Sequence, residues 1–207
     1  MNTSSHIAID DSQVVPFLDI HELFMAFNQL YFEQELDRVT VEWSKRMTLC
    51  AGLCECCVFN NSCRIKLSQP LLSLRPITDL VDTLLHECIH AYLFMTNSIT
   101  DHDAHGSNFI YHMNRINQDA GSHITIYHSF IDEVEYYRQH HWQCTQCNWV
   151  IKRAMNRPPS CRDPWWDGHQ RGCGGKFYKV KQPSKRNASP KMLPLESYFQ
   201  KINKNKC

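Results

Sequence analysis

The stretch Thr83-Leu-Leu-His-Glu-Cys-Ile-His-Ala-Tyr92 decides the fold, because it carries an H-E-x-x-H pattern within an apolar segment typical of a buried helix. Four residues of α-helix make slightly more than one turn, so His86 and His90 project from the same face. Two neutral imidazoles at this spacing can bind one zinc ion, with Glu87 beside them as general base. Two ordinary core histidines are the alternative, and it is disfavoured because burying Glu87 unpaired on this face would be costly.

The composition indicates a globular chain with one medium domain and a small appendage. Of the 207 residues, 43% are hydrophobic and 11% aromatic, which suffices for a packed core. No apolar run reaches the roughly 18 residues of a membrane span. The N-terminus is polar and acidic and has no segment of secretory type. We therefore expect the eleven cysteines to be reduced thiols and metal ligands rather than a disulfide framework.

The net charge of +1 hides a strong asymmetry along the chain. Residues 1–140 hold 8 Lys/Arg and 18 Asp/Glu, a net charge of −10, whereas residues 141–207 hold 14 and 3, a net charge of +11. A basic C-terminal third on an acidic body favours contact with a polyanion, nucleic acid first. A solvated tail that docks on its own acidic body is the alternative, and charge alone does not separate the two.

Hydrophobic periodicity predicts an alternation of helices and short strands around the H-E-x-x-H segment. Asp19 and Thr78 are the expected caps of two helices. We predict helices over 19–35, 79–95, 107–119 and 131–141, a connection over 70–76, and strands over 39–43, 47–58, 63–67 and 176–180. Ile110 is expected to face inward with Phe109. Cys54-x-Cys56 places two thiols on one strand face, which we interpret as strand packing in preference to a metal site.

A zinc hydrolase needs a third protein ligand and an open position for water. Three histidines downstream of the helix are candidates: His102, His105 and His112. His105 lies directly before Gly106 at a predicted helix start, where the chain can fold back under the H-E-x-x-H helix. His102 lies in a polar loop, and His112 lies inside the next helix.

Several segments together resemble the SprT-like metalloproteases, in particular their DNA-dependent members that act in DNA–protein crosslink repair. They are Arg46-Met-Thr-Leu-Cys-Ala-Gly52, Leu67-Ser-Gln-Pro-Leu-Leu-Ser-Leu-Arg75, His86-Glu-Cys-Ile-His-Ala-Tyr-Leu-Phe94, His105-Gly-Ser-Asn-Phe109, Met113-Asn-Arg-Ile-Asn117, Lys152-Arg-Ala-Met-Asn-Arg157, Trp165-Trp166 and Cys173-Gly-Gly175. The resemblance covers about residues 17–182. It implies that the third catalytic zinc ligand, beside His86 and His90, is His105, and that Glu87 is the general base of peptide hydrolysis.

A second metal-ligand pattern follows in the basic segment, where Cys144-x-x-Cys147 is followed by His169-x-x-x-Cys173. The spacing is typical of a closed structural zinc site with three cysteines and one histidine. The family carries a small zinc-binding subdomain at this place. Cys161 lies between the two ligand pairs, and the sequence leaves open whether it replaces one of the four. The chain is thus expected to bind two Zn²⁺ ions, one catalytic and one structural.

Cations and aromatic rings alternate around the second ligand set, a pattern typical of single-strand-binding surfaces, where charges track phosphates and rings stack on bases. The alternative is that the tryptophans form the core of a small zinc module. The DNA-binding candidates are Trp149, Lys152, Arg153, Arg157, Trp165, Trp166, Lys179 and Lys181.

Near the C-terminus, Met192-Leu-Pro-Leu-Glu-Ser-Tyr-Phe199 is similar to the box that binds the sliding clamp PCNA. Met192 stands where glutamine is usual, and Leu195, Tyr198 and Phe199 would be presented on one helical turn. A chance match is the alternative.

These observations predict an α+β fold: a zincin-like SprT metalloprotease domain, with helices packed on a small sheet, followed by a small zinc-binding subdomain. We expect a disordered leader over 1–16, the protease domain over 17–141, the zinc- and DNA-binding subdomain over 142–182 and a disordered tail over 183–207.

The expected function is that of a nuclear, chromatin-associated and monomeric DNA-dependent zinc endopeptidase that cleaves proteins crosslinked to DNA. Single-stranded or partly unpaired DNA, crosslinked proteins and PCNA are the expected partners, without a membrane. Two alternatives remain: a non-proteolytic repair adaptor with structural zinc sites, and a zinc hydrolase acting on a non-protein substrate.

Overall fold

The computed structural model describes residues 19–97, 105–127 and 130–183, and the chain divides into two compact units after Val134. The division lies seven residues before the domain boundary expected after His141. Both units mix helices with a three-stranded sheet, so the predicted α+β class is confirmed. Among the described residues, no helix is long and apolar enough to span a bilayer.

The first unit consists of a small mixed sheet and the helices that cover it. Its elements in chain order are α1 (Ile20–Tyr31), β1 (Val39–Ser44), β2 (Gly52–Cys57), β3 (Ser62–Ser68), α2 (Gln69–Leu72), α3 (Ile77–Asn97), α4 (Ser107–Ala120) and α5 (Ile131–Tyr137), in which the division falls. The strand order is β1-β3-β2, with β1 parallel and β2 antiparallel to β3. Strand β2 is thus an edge strand.

Helix α3 is the central element of the first unit, because it packs on β2, β3 and α4. Leu84, Leu85, Cys88, Ile89 and Ala91 are all fully buried along it. Burial of each leucine or isoleucine among them stabilises the fold by roughly 1.5–3 kcal/mol, because it removes apolar surface from water. A helix buried on this scale holds its polar side chains in fixed positions.

Helix termini follow the predicted capping residues in part. The Asp19 side chain accepts a hydrogen bond from His21 N–H, which confirms Asp19 as the N-cap of α1. Gly121 ends α4 in a left-handed conformation (φ 66°), as glycine allows. Thr78 was the wrong cap, because α3 already begins at Ile77, directly after Pro76. Proline is compatible with a helix start because its missing N–H needs no partner there.

Three predicted elements differ from the structure because tertiary contacts outweigh local pattern. The strand predicted from Met47 begins only at Gly52, since Ser44 and Ser68 hydroxyls satisfy the Met47 backbone. The helix predicted over 131–141 ends at Tyr137, and His140 begins a strand that pairs with two others. The predicted connection 70–76 contains the short helix α2.

Two further expectations about side chains were wrong. Ile110 is 37% exposed, whereas Phe109 is fully buried. Cys56 and Cys63 form a disulfide, with their Cα atoms 4.1 Å apart, so the expectation of reduced thiols fails for this pair. The pairing register explains the disulfide, because Cys56 of β2 lies directly opposite Cys63 of β3. The other cysteines among the described residues are free thiols.

The second unit is a small antiparallel sheet with one short helix. It contains β4 (His140–Cys144), β5 (Val150–Arg153), α6 (Trp166–Gly172) and β6 (Phe177–Lys181), and the strand order is β5-β4-β6. The strand predicted over 176–180 is therefore confirmed with a shift of one residue. A sheet of this size buries little surface, so a metal ion is an expected source of its stability.

Candidate metal centres and active site

Helix α3 carries the first candidate site on its buried face. His86, Glu87 and His90 are only 4%, 5% and 8% exposed, although all three are polar. Buried ionisable side chains require partners, and they concentrate at functional sites. The surroundings of these three residues therefore decide what the site can do.

Three imidazole rings converge on one point. His90 Nε2 lies 3.1 Å from His86 Nε2, and His105 Nε2 lies 3.2 Å from the same atom. The three ligand atoms lie within 4.8 Å of one another. His105 reaches this position because it directly precedes Gly106, the N-cap of α4, and α4 packs against α3.

The tautomer of His86 fits a metal ligand. Its Nδ1 lies 2.9 Å from the carbonyl oxygen of Thr125, and this bond requires the proton to be on Nδ1. Nε2 therefore keeps its lone pair on the side that faces His90 and His105. The Asn117 side chain holds the segment that supplies this carbonyl, because it accepts from Ile124 N–H (2.8 Å) and donates to Ile124 O (2.9 Å).

The histidine set fits zinc. With Zn–N bonds of about 2.0–2.1 Å, tetrahedral ligand nitrogens lie about 3.3 Å apart, close to the separations between these Nε2 atoms. Phe109 supports the set from α4, with its ring centroid 4.9, 4.8 and 4.6 Å from those of His86, His90 and His105. Contact with this apolar ring restricts the orientations of the three imidazoles.

Edge strand β2 lies against Glu87. The Cys54 backbone N–H donates a hydrogen bond to the Glu87 carboxyl group. Gly52 permits this approach, because a Cβ at that position would lie 2.5 Å from Glu87 Oε1 and 2.8 Å from Thr83 Cγ2. Burial raises the pKa of Glu87 to about 8, while the Cys54 N–H acts in the opposite direction. A buried carboxyl group held directly beside a metal ligand has the position that a general base requires.

Of the two other histidine candidates, the structure describes only His112, which does not join the cluster. His112 packs against Tyr92 (5.0 Å between ring centroids), and its Nδ1 lies 3.3 Å from an Arg115 nitrogen. Burial and the Arg115 charge lower the pKa of His112. His102 lies outside the described residues.

A second cluster forms in the second unit from the four predicted ligands, Cys144, Cys147, His169 and Cys173. Cys144 Sγ and Cys173 Sγ are 3.6 Å apart, and Cys147 Sγ is 3.6 Å from His169 Nε2. The ligand atoms all lie within 4.8 Å of one another, which suits a tetrahedral zinc site. Cys161 is exposed and is not part of the cluster.

The backbone around the second cluster favours the thiolate form of Cys144. Burial opposes ionisation of Cys144, but the N–H groups of Gln146 and Cys147 point at its sulfur and lower its pKa to about 6. Gly175 is required here, because a Cβ would lie 2.4 Å from Cys144 Sγ. Ionised sulfur is the form that binds zinc.

Several predicted DNA-binding cations have protein partners. Arg153 and Arg157 each form a salt bridge with buried Asp163, at 2.8 and 2.7 Å. Burial acts against ionisation of Asp163, but these arginines and the Ser160 N–H lower its pKa to about 2. Lys152 pairs with Glu135.

Lys179 hydrogen-bonds Asn156 and lies 5.4 Å from the Trp142 ring centroid. Lys181, by contrast, is exposed at the end of β6. The basic residues of the second unit are thus not equivalent candidates for DNA contact.

The predicted aromatic residues pack together beside the second cluster. Trp149 and Trp165 are 4.6 Å apart between ring centroids, and both lie near His169 and Phe177. Trp149 is nevertheless 41% exposed, and Trp165 and Trp166 are half-buried. These rings therefore support the zinc ligands and also present surface to solvent. Met192, Leu195, Tyr198 and Phe199 lie outside the described residues.

Comparison with known proteins gives the class of both units. The model of the SprT-like family matches residues 20–128, and the model of the Spartan-like zinc binding domain matches residues 139–179. The chain belongs to the SprT-like family, as its motifs predicted. Zn²⁺ is the cofactor that fits both donor sets.

Curated relatives share both units with this chain. The DNA-dependent metalloprotease SPRTN of Danio rerio is 55% identical over 175 residues, or 81% of this chain and 28% of the relative. SPRTN of Homo sapiens is 47% identical, covering 93% of this chain and 42% of the relative. The DNA-dependent metalloprotease dvc-1 of Caenorhabditis elegans is 43% identical, covering 92% and 60%. The chain therefore spans less than two thirds of each of these relatives.

Sequence reasoning missed the backbone contributions to the first site. Gly52, the Cys54 N–H and the Thr125 carbonyl all act on α3 from distant positions in the chain. Gly52 was the only one with a local signal, since glycine within a strand often marks a close approach.

Proposed function

We propose that this chain is a DNA-dependent zinc endopeptidase that cleaves proteins covalently crosslinked to DNA, within the nucleus and on chromatin. The observation that carries the proposal is the convergence of the His86, His90 and His105 Nε2 atoms, with Glu87 directly after His86 on α3. Three ligands leave a fourth position for water, whereas purely structural zinc sites are closed by four protein ligands. The names of the relatives, which describe DNA-dependent metalloproteases, support the same function.

His86, His90 and His105 would hold the ion through Nε2. A zinc ion bound there supplies Lewis-acid polarisation of a peptide carbonyl and acidification of water. Glu87 accepts the proton of the attacking water on its carboxylate and delivers it to the leaving amine. The Cys54 N–H fixes the carboxylate, and the Thr125 carbonyl fixes the His86 ring.

The second unit would supply the DNA dependence. We propose that a zinc ion held by Cys144, Cys147, His169 and Cys173 rigidifies a module whose exposed rings stack on unpaired bases. Trp149 is the best placed of the candidates, since its ring is 41% exposed while its neighbours hold it in place. Lys181 and the other exposed cations would follow the phosphates. Each stacked base contributes about 1–3 kcal/mol.

The test measures cleavage of a DNA-binding protein by this chain, once in the presence and once in the absence of single-stranded DNA. We expect cleavage by the wild type only with DNA, and loss of cleavage in Glu87→Gln. Glu42→Gln is the matched control, because Glu42 is exposed on β1. With the Cys56–Cys63 disulfide intact, both variants should retain two zinc ions per chain by metal analysis. Cleavage by Glu87→Gln at the wild-type rate would refute the proteolytic assignment.

The adaptor with structural zinc sites is the second candidate, and the same assay separates it. An adaptor would bind DNA and two zinc ions but would cleave no substrate in any variant. Glu87 disfavours the adaptor, because a site without chemistry gains nothing from a buried carboxyl group next to a metal ligand. Binding to PCNA through Met192, Leu195, Tyr198 and Phe199 is a separate proposal, tested by loss of clamp binding in a Tyr198→Ala, Phe199→Ala double variant.

A further inference from the structure

A third cluster of ligand-type side chains lies on the sheet of the first unit, and it shares no metal ligand with the two sites described above. It consists of Cys54, Cys56 and Cys63, called here the thiol triad. Cys54 and Cys56 lie two residues apart on β2, so their side chains project from the same face. Cys63 of β3 lies directly opposite Cys56. Strand pairing therefore brings the three sulfur atoms together without any loop.

Apart from the Cys56–Cys63 disulfide bond, the separations within the thiol triad are those of a metal site. All three Sγ atoms lie within 4.8 Å of one another, as do the ligand atoms of the two other clusters. Cys54 Sγ and Cys56 Sγ are 3.6 Å apart, the same separation as Cys144 Sγ and Cys173 Sγ in the second unit. Zn–S bonds of about 2.3 Å place tetrahedral sulfur ligands about 3.8 Å apart.

Burial gives the thiol triad a closed side and an open side. Cys54 and Cys63 are each 3% exposed, whereas Cys56 is half-buried at the surface of the sheet. An ion can therefore enter beside Cys56 and keep one position for water. Two acidic residues lie near the triad, and both have other partners: exposed Glu55 forms a salt bridge with Lys66 at 2.6 Å, and the Glu87 carboxyl group accepts a hydrogen bond from the Cys54 backbone N–H. The donor set is thus sulfur alone, which favours thiophilic ions over Mg²⁺ or Ca²⁺.

We propose that the thiol triad, in its reduced form, binds one thiophilic d¹⁰ cation such as Zn²⁺ or Cd²⁺, as a third metal site of this chain. The Cys56–Cys63 disulfide is the alternative state, because it removes two of the three thiolates. A dithiol reductant converts one state into the other: it gives two electrons and two protons to the disulfide and becomes a disulfide itself. The cation then displaces the thiol protons to solvent.

The site lies on a strand that matters for the first metal centre. Strand β2 also carries Gly52 and the Cys54 N–H, both of which lie against Glu87. An ion in the thiol triad would link β2 to β3 at the position that the disulfide links in the oxidised form. We therefore expect the bound ion to raise the melting temperature of the reduced chain.

The test counts cadmium ions per chain by native mass spectrometry, after reduction with dithiothreitol and incubation with Cd²⁺. Wild type is expected to bind one ion more than Cys56→Ser, and one more than Cys56→Ala, which guards against an effect of the serine hydroxyl. Cys57→Ser is the matched control: Cys57 is the next residue on β2, is exposed and lies outside the cluster, so its count should equal that of wild type.

The second part of the test compares the oxidised and the reduced chain. Wild type oxidised with diamide should bind one ion fewer than the reduced chain, and reduction should restore that ion. Circular dichroism establishes that each variant is folded. Equal counts in reduced wild type and Cys56→Ser would overturn the proposal and leave a disulfide site only. The count does not depend on proteolysis, so it stands or falls separately from the proposed function.

Discussion

Gly52 and Glu87 show how one missing methyl group defines the active site. The Gly52 backbone lies so close to α3 that a Cβ would fall 2.7 Å from Glu87 Cγ and 2.8 Å from Thr83 Cγ2. Thr83 is 1% exposed, so neither neighbour can move into solvent without cost. The position of the general base is therefore set by the absence of a side chain on β2 as much as by α3.

We predict that Gly52→Ala will lower kcat about 10- to 100-fold, because the added methyl group displaces the Glu87 carboxyl group from its position. Overpacking should also lower the free energy of unfolding by about 1–3 kcal/mol. Peptide cleavage kinetics and urea denaturation measure the two effects. Gly168→Ala is the control, since its Cβ meets nothing within 4 Å. Wild-type kcat in Gly52→Ala would contradict the close approach of β2.

Residues related by helical periodicity could be predicted from the sequence, whereas residues related only by the tertiary fold could not. His86, Glu87 and His90 share one helix, so their spacing alone predicts a common face. His105 was chosen over His102 and His112 through family resemblance, since no local rule fixes where a loop histidine points. Thr125 contributes a backbone carbonyl, which every residue possesses, so its sequence carried no signal.

At the scale of elements, an ion pair joins the start of α3 to α5. Arg75 Nε and a terminal nitrogen donate to the two Glu133 carboxylate oxygens, at 2.6 and 2.9 Å. Burial alone would raise the pKa of Glu133, but the hydrogen bonds and charge of Arg75 outweigh it and lower the pKa below 4.5. A group whose pKa is lowered by folding stabilises the fold only when it is ionised.

We therefore predict that Glu133→Gln will lower the free energy of unfolding by about 1–3 kcal/mol at pH 7, as expected for a charged hydrogen-bonded pair. The difference from wild type should be complete above the unfolded pKa of about 4.3 and should shrink as pH falls through the lower folded pKa. Denaturant unfolding between pH 7 and pH 3 measures it. A difference that grows with acidification would contradict the lowered pKa of Glu133. Asp132→Asn, which changes an exposed neighbour, is the control.

The presence of a helix or strand was easier to predict from the sequence than the residues at which it begins and ends. The amphipathic periods of α1, α3 and α4 were sufficient to place those helices, and Asp19 marked the start of α1. Residues 138–141 were wrongly predicted as helix, because strand β4 depends on pairing with β5 and β6, which lie later in the chain. A single local pattern cannot distinguish a helix end from a strand whose partners have not yet been placed.

At the scale of the molecule, the net charge distinguishes an acidic region, residues 1–140 with −10, from a basic region, residues 141–207 with +11. The structure refines this division within the second unit, because some of its cations are part of the fold. Arg153 is only 13% exposed on its side chain and is bound to Asp163, whereas Lys181 is exposed. We thus expect Arg153→Gln to destabilise the module and Lys181→Gln to weaken DNA binding without loss of stability.

The affinity for single-stranded DNA should fall steeply with salt, because each phosphate neutralised by Lys or Arg releases counterions. For single strands the slope of log affinity against log salt is about −0.7 per phosphate contacted. Lys181→Gln should reduce the magnitude of this slope by about 0.7, measured by fluorescence anisotropy between low and physiological salt. Lys66→Gln, whose lysine pairs with Glu55 in the first unit, should leave the slope unchanged.

A flat salt response in wild type would contradict the nucleic-acid role of the basic region, whatever the enzyme cleaves. Trp149→Ala should weaken the affinity for DNA at every salt concentration and leave the slope unchanged. This is the pattern expected when a ring that stacks on a base is removed. Charge then determines how affinity varies with salt, and the aromatic cluster determines the part that salt does not remove. Both contributions require the second unit to be folded, so chelation of its zinc ion should abolish them together.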